Sequence, residues 1–268
     1  MGLIILLPLL TCFIATPLYI KYFKRSQRIT YNFEGKEVVN SGGGILLVSL
    51  IPLIPFYYYF PVFKTPYILL MFYYLGVITL LGLIDDLYGE TECKGFKGHL
   101  GKFMRGEGVS IGLSKAIGGL IAALLIAYYL SDYWYVWLLK GVFMALFSNI
   151  FNLLDTRPGR AIKIYLVLSF IFAAAFSEFV LMVSPIWAAI YMYLFWELRS
   201  EVMLGDAGAY LLGGSLGFYA AAAFPLKVIL AIFILLLYFH WYCERKSLNR
   251  IIESNYWLYY LDRLGRKS

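Results

Sequence analysis

Four groups of polar residues interrupt apolar runs of this chain, where a polar side chain costs free energy unless it has a partner or a task. Asp85-Asp86 closes the run Leu-Ile-Asp-Asp-Leu-Tyr-Gly. Two adjacent carboxylates at a helix C-terminus face the negative end of its dipole, misplaced by about 0.3–1 kcal/mol each. They also repel one another. A divalent cation or lysine side chains would relieve both problems, and Mg²⁺ is commonly held by one or two carboxylates together with a substrate phosphate. A solvated helix end is the plainer alternative. Asn149, Asn152 and Asp155 follow in Ser-Asn-Ile-Phe-Asn-Leu-Leu-Asp. At 100° per residue they share an arc of about 120° on one helix face. Two amides and an acid there suit a metal, a ribose or a base edge, or else hydrogen bonds between helices.

Gly205-Asp206-Ala207-Gly208 opens another apolar run. Asp206 can cap that helix, and a helix N-terminus also favours phosphate, with glycines that let a ligand approach the backbone. Gly213, Gly214 and Gly217 further along read as a packing face, within one chain or between the copies of a homodimer. The fourth group is basic. Lys36 precedes Gly42-Gly43-Gly44, Lys115 opens a further run, and Arg157 and Arg160 flank Pro158-Gly159. Singly each reads as an interfacial anchor; together with the acids they make metal and phosphate chemistry.

The elements that must carry these groups are membrane helices. Of the 268 residues, 62% are hydrophobic and 15% charged, against about 25% charged in soluble domains. The mean hydropathy is +0.75. This excludes a soluble enzyme and a disordered chain. Cys12, Cys93 and Cys243 are too scattered for a disulfide framework or a zinc site. Apolar runs predict about nine spans: Gly2–Ile20, 43–60, 67–84, 113–130, 134–151, two within 161–197 with a turn near Ser177 and Glu178, 207–224 and 226–242.

With the N-terminus outside, 20 of the 23 Lys and Arg fall on the cytoplasmic side, leaving only Lys64, Lys140 and Lys227. That asymmetry fits the positive-inside rule. Fourteen of the 16 acids lie on the same side or at the span ends that face it, leaving Asp132 and Glu178. The rule gives no reason for the acids, whereas a cytoplasmic active site does. The net charge of +7 therefore points to cytoplasmic loops and not to nucleic acid. Residues 1–242 form one transmembrane domain. Residues 243–268 form an amphipathic cytoplasmic tail, with Leu248, Ile251, Ile252, Trp257, Tyr260 and Leu261 toward the membrane and Arg245, Arg250, Arg263 and Arg266 toward water and lipid phosphate.

The order of these motifs resembles the polyprenyl-phosphate N-acetylhexosamine-1-phosphate transferases, which start lipid-linked glycans of bacterial envelopes. The resemblance runs over about residues 30–217. It rests on Lys36 with Gly42-Gly43, Asp85-Asp86, Lys115, Asn149-x-x-Asn152-Leu153-x-Asp155, and Leu204-Gly205-Asp206-Ala207-Gly208-Ala209. It implies a polytopic enzyme of the bacterial plasma membrane that transfers a sugar-1-phosphate from a UDP-N-acetylhexosamine to undecaprenyl phosphate and releases UMP. It implies Mg²⁺ at Asp206 and Asp86. One of Asp85 and Asp86 would deprotonate or orient the lipid phosphate while the other holds the lysines. Lys36 and Lys115 would neutralise phosphate oxygens. Asn149, Asn152, Asp155 and Gly205 would position the nucleotide sugar. Arg157 and Arg160 are departures from the family, and their guanidiniums suit bidentate phosphate contacts in place of lost ones. The chain departs from the family at Pro158, which stands where a second acid is usual, and its tail lacks a histidine motif. A non-catalytic polyprenyl-phosphate binder or scaffold of the same fold is the alternative expectation. An ion-coupled transporter is disfavoured, because the acids sit at span ends and not at the midplane.

Overall fold

The computed structural model describes residues 2–59, 65–89, 98, 101, 102, 104, 105 and 108–266. Cys93, His99 and Lys64 lie outside them. The described chain is overwhelmingly helical: α1 (Gly2–Arg25), α2 (Gly43–Leu50), α3 (Leu53–Tyr59), α4 (Thr65–Tyr88), α5 (Ile111–Tyr129), α6 (Trp134–Leu154), α7 (Arg160–Ala175), α8 (Ser177–Leu198), α9 (Gly205–Ala223), α10 (Leu226–Arg245), α11 (Leu248–Ser254) and α12 (Tyr256–Arg263). A short hairpin of β1 (Ile29–Tyr31) and β2 (Glu37–Val39) joins α1 to α2.

Six helices, α1, α4, α5, α6, α8 and α10, are long and apolar enough to cross a membrane. The other expected spans differ for identifiable reasons. The run 43–60 breaks after Leu50 into α2 and α3, with Pro52 in the break, a residue without an amide to continue a ladder. The 161–197 run divides at Phe176, next to the expected turn, and its first part, α7, has only 16 residues. The 207–224 run forms α9, whose Gly, Ala and Tyr content lowers its hydropathy.

That composition is what a central helix needs. From Gly205 to Ala221 every residue of α9 except Asp206 is buried. The helix packs chiefly on α6 and α4, and also on α2. Gly213 abuts the Phe147 carbonyl and the Ser148 Cα, and Gly217 abuts Phe147 and Met144, while Gly214 faces Ile78 and Tyr74. A methyl group at any of these would push the helices apart, so this small-residue stripe is used within the chain. α10 is the opposite case, with only Ile229 and Leu236 buried, and presents an apolar outer face.

Two local devices bring the start of α9 to the polar groups. Residues 39–43 run beside 201–204. Met203 N–H donates to Val39 O at 2.8 Å, Gly42 N–H to Met203 O at 2.8 Å, and Gly43 N–H to Leu204 O at 2.8 Å. A Cβ on Gly43 would fall on the Gly208 backbone, and one on Gly42 on the Val202 side chain and the Tyr193 hydroxyl. The glycine run therefore lets two backbones touch. Tyr19 of α1 fastens the same turn by donating its hydroxyl to Ser41 O at 2.9 Å.

Candidate functional site

Asp86, near the C-terminal end of α4, also lies against the N-terminal end of α9. Its Oδ1 accepts the Asp206 amide at 2.9 Å and its Oδ2 the Ala207 amide at 3.1 Å. Those are two of the amides that a helix start leaves without partners. The carboxylate that the α4 dipole disfavours is thus favoured by the α9 dipole. Gly205 makes the approach possible. Its φ is +68°, and a Cβ there would sit 2.6 Å from Asp86 Oδ2 and 3.0 Å from Asn40 Oδ1.

Beside this junction, Lys115 of α5 is 7% exposed and its ammonium pairs with both Asp85 and Asp206. Burying one cation against two acids offsets much of the desolvation each would suffer alone. The ammonium also lies 5.1 Å from the centre of the Tyr210 ring. Asp155 follows α6, and the Gly205 amide is close enough to favour its charged form. Burial first, and then the negative charges of Glu197, Asp206 and Asp86, hold that carboxyl well above the usual carboxylate range. Asp85, Asp86, Lys115, Asp155 and Asp206, drawn from four helix ends, thus converge on one polar centre.

A cavity of about 410 Å³ opens from it. Asp85, Lys115, Asn149, Asn152, Ser148 and Tyr210 form its polar lining, and Gly119, Leu120, Val142, Ala145 and Leu146 continue it as an apolar wall. Asn149 and Asn152 therefore do share a face, as their spacing implies. The cavity joins a charged end to an apolar passage between α5 and α6, a shape matched to an amphiphile with a charged head.

Three sequence-derived assignments are corrected. Lys36 is not at this centre: it pairs with Glu34 at 2.8 Å in the hairpin turn and is largely exposed. Arg160, expected as a phosphate contact, is 3% exposed and engaged elsewhere. Its Nε and Nη2 donate to the two oxygens of Asp262 at 2.7 and 2.9 Å, and its Nη1 to Thr156 and Asn249 at 2.6 Å each. Arg266, expected to face water, pairs with Asp262 at 2.8 Å and donates from Nε to the Pro158 carbonyl at 2.8 Å. Burial pushes the Asp262 carboxyl up, but the hydrogen bond and charge of Arg160, and then the charge of Arg266, outweigh it and hold it below the usual range. Arg157 stays near the surface, stacked 4.3 Å from the Phe33 ring and 3.4 Å from Glu253.

The tail is therefore docked. Lys163 of α7 donates to the carbonyls of Leu261, Asp262 and Leu264, which caps the end of α12 with a cation where the dipole favours one. The opposite side of α12 leaves Tyr256, Trp257, Tyr260 and Leu261 exposed, consistent with the amphipathic pattern of its sequence.

Sequence reasoning passed over Glu197. It is 1% exposed, and its Oε1 accepts the Gly159 amide at 2.7 Å, holding the turn where Gly159 takes φ +73°. The signal was available: an acid within Tyr-Leu-Phe-Trp-Glu-Leu is as costly in an apolar helix as the acids singled out.

Oxygen donors of this kind suit Mg²⁺. Among the described residues no three His, Cys, Asp or Glu side chains group into a metal cage. Asp85 and Asp206 nevertheless meet around one cationic position, which the Lys115 ammonium takes here. The donor set fits an ion that completes its shell with substrate phosphate. Neither a scan against protein-family models nor a search of curated proteins returns a match for this chain.

Proposed function

We propose that this protein is an integral-membrane sugar-1-phosphate transferase that uses a polyprenyl phosphate as acceptor. The observation that carries the reading is the convergence of Asp85, Asp86, Lys115 and Asp206 at the charged end of a cavity whose other wall is apolar. The acceptor enters from the bilayer with its chain along Gly119, Leu120 and Leu146 and its phosphate toward Lys115. A nucleotide sugar, a UDP-N-acetylhexosamine by the resemblance above, enters from the cytoplasm. An oxygen of the lipid phosphate bonds to the phosphorus that carries the sugar, the bond from that phosphorus to the bridging pyrophosphate oxygen breaks, and UMP leaves with the electron pair. Such a displacement needs charge neutralisation and alignment more than a strong base.

In this reading Lys115 turns from its carboxylates to the phosphate oxygens. Asp85 and Asp206 would hold Mg²⁺, Asp85 replacing the expected Asp86 because both oxygens of Asp86 already accept amides of α9; the ion would supply positive charge for phosphate oxygens. Asp86 keeps the start of α9 in place. Asn149 and Asn152 supply amide contacts from the cavity wall, and Asp155 lies beside the Gly205 amide. The chain crosses the bacterial plasma membrane nine times, with α2–α3, α7 and α9 joining the six long helices, the N-terminus outside and the C-terminus cytoplasmic. The fit of Lys115 between two acids also supports a second reading, a non-catalytic binder of lipid phosphates, since the lysine already holds Asp85 and Asp206 together without a metal.

Purified protein incubated with undecaprenyl phosphate, Mg²⁺ and a panel of radiolabelled nucleotide sugars should give butanol-extractable label with at least one sugar. No product from any of them, with tight lipid-phosphate binding retained, would establish the second reading.

A further inference from the structure

One polar group next to the cavity is not used by the proposed chemistry. His240 lies on α10, outside the cavity lining. Its Nδ1 is 2.8 Å from the Leu236 carbonyl of the preceding turn. A carbonyl only accepts, so Nδ1 carries the hydrogen and the Nε2 of the neutral ring is left as an acceptor. Nε2 is 3.1 Å from Asn149 Nδ2, and the amide group therefore donates to it. With its nitrogen turned to His240, Asn149 presents Oδ1 to Tyr210, whose hydroxyl donates to it at 3.4 Å. Asn149 and Tyr210 both line the cavity. The opposite rotation of the amide would set Oδ1 against the lone pair of Nε2. Relieving that clash would require a hydrogen on Nε2, either in the other tautomer, which loses the bond to Leu236, or in an imidazolium, a charge that burial between helices penalises.

We propose that His240 is a positioning residue for the cavity: as the Nδ1–H tautomer it fixes the rotation of the Asn149 amide, so that the amide oxygen anchors the Tyr210 hydroxyl and the second amide N–H remains as a donor for a phosphate oxygen of the ligand. The inference rests on reading the cavity as the site of a phosphate-bearing lipid. It does not require that the protein catalyse transfer. An amide has two nearly isosteric rotations, and a site that must donate at one point can use only one of them. His240 makes the choice from behind, through a ring whose own hydrogen is fixed by its helix.

The tautomer is read directly by ¹⁵N NMR of histidine-labelled protein in lipid nanodiscs. The chain has two histidines, so His99→Asn leaves His240 as the single signal. The expected spectrum has a protonated Nδ1 and a bare Nε2, and Asn149→Leu should move the Nε2 resonance toward that of a nitrogen without a donor. Binding of undecaprenyl phosphate is measured on the same preparations. His240→Leu should weaken it about tenfold, the size of one hydrogen bond. His240→Gln, which can place an amide oxygen where Nε2 stood, should restore most of it. The double variant His240→Leu with Asn149→Leu should bind no more weakly than Asn149→Leu alone, because the two act as one unit. A protonated Nε2, unchanged binding in His240→Leu, or additive losses in the double variant would each overturn the proposal. If nucleotide sugars give no product while these results hold, the transferase reading fails and this assignment stands.

Discussion

Asp206 and Asp86 are both aspartates of the polar centre, and the structure gives them different work. Asp206 pairs with Lys115, whereas Asp86 spends both oxygens on the backbone of α9. Asp206→Asn should leave the protein folded and inserted while turnover in the radiolabel assay falls at least 100-fold, a typical cost of removing a main electrostatic contact. Turnover at the wild-type rate would remove Asp206 from the metal set. Asp155 offers a test of electrostatics. Its carboxyl is held well above the usual range, so the folded state binds its proton more tightly than the unfolded chain does. The contribution to stability is present in acid and is lost as pH rises through the folded-state value. Asp155→Asn should therefore flatten the fall in Tm between pH 5 and 8 and raise Tm at the upper end, measured by thermal unfolding in detergent. A fall in Tm at pH 8 would contradict the crowding of charge described here. The charged residues of this centre were legible in sequence because a charge in an apolar run must be accounted for. The role of His240 was not, because a hydrogen bond between residues 91 positions apart leaves no local pattern.

At the scale of elements, the site depends on how helix ends meet. The periodicity of apolar runs located the long helices and the division near residue 176. It did not show that the end of α4 meets the start of α9. That meeting is set by the glycines of 42–43 and 205, whose lack of a Cβ matters only once the partner backbone is known. Gly205 is the strictest case, with a left-handed φ and an oxygen of Asp86 where a Cβ would go. Gly205→Ala should lower stability by about 1–3 kcal/mol through backbone strain alone and more through the displaced carboxylate. Thermal unfolding checks the first, and lost binding of lipid phosphate the second. Tail docking was equally hidden. The pattern of 256–263 announced an amphipathic helix, but the buried partner of Asp262 is 102 residues away. Arg160→Met should undock α11 and α12 and expose the tail to limited proteolysis while the spans stay protected. An unchanged cleavage pattern would mean that the Arg160–Asp262 pair does not hold the tail.

For the whole molecule, composition was enough to exclude a soluble protein, and six long apolar helices agree with it. The count of nine rests on treating a broken helix, a short one and a buried one as spans. A helix hidden among others need not be as apolar as one that faces lipid, which is why α9 falls below the hydropathy of its neighbours. The proposed orientation puts the ends of the chain on opposite sides. A cysteine replacing Ser26 should be blocked by a membrane-impermeant thiol reagent only after the cells are opened, and one replacing Ser131 should react in intact cells. The reverse pattern would invert the orientation.

The Arg160–Asp262 pair carries a consequence for biogenesis. The turn at 156–160 that follows Asp155 is held from behind by residues 249, 262 and 266, which leave the ribosome after every helix of the polar centre has been synthesised. A chain that stops short of Asp262 has every acid of the polar centre yet lacks the brace on that turn. The brace is therefore the last contact that synthesis can supply to the site.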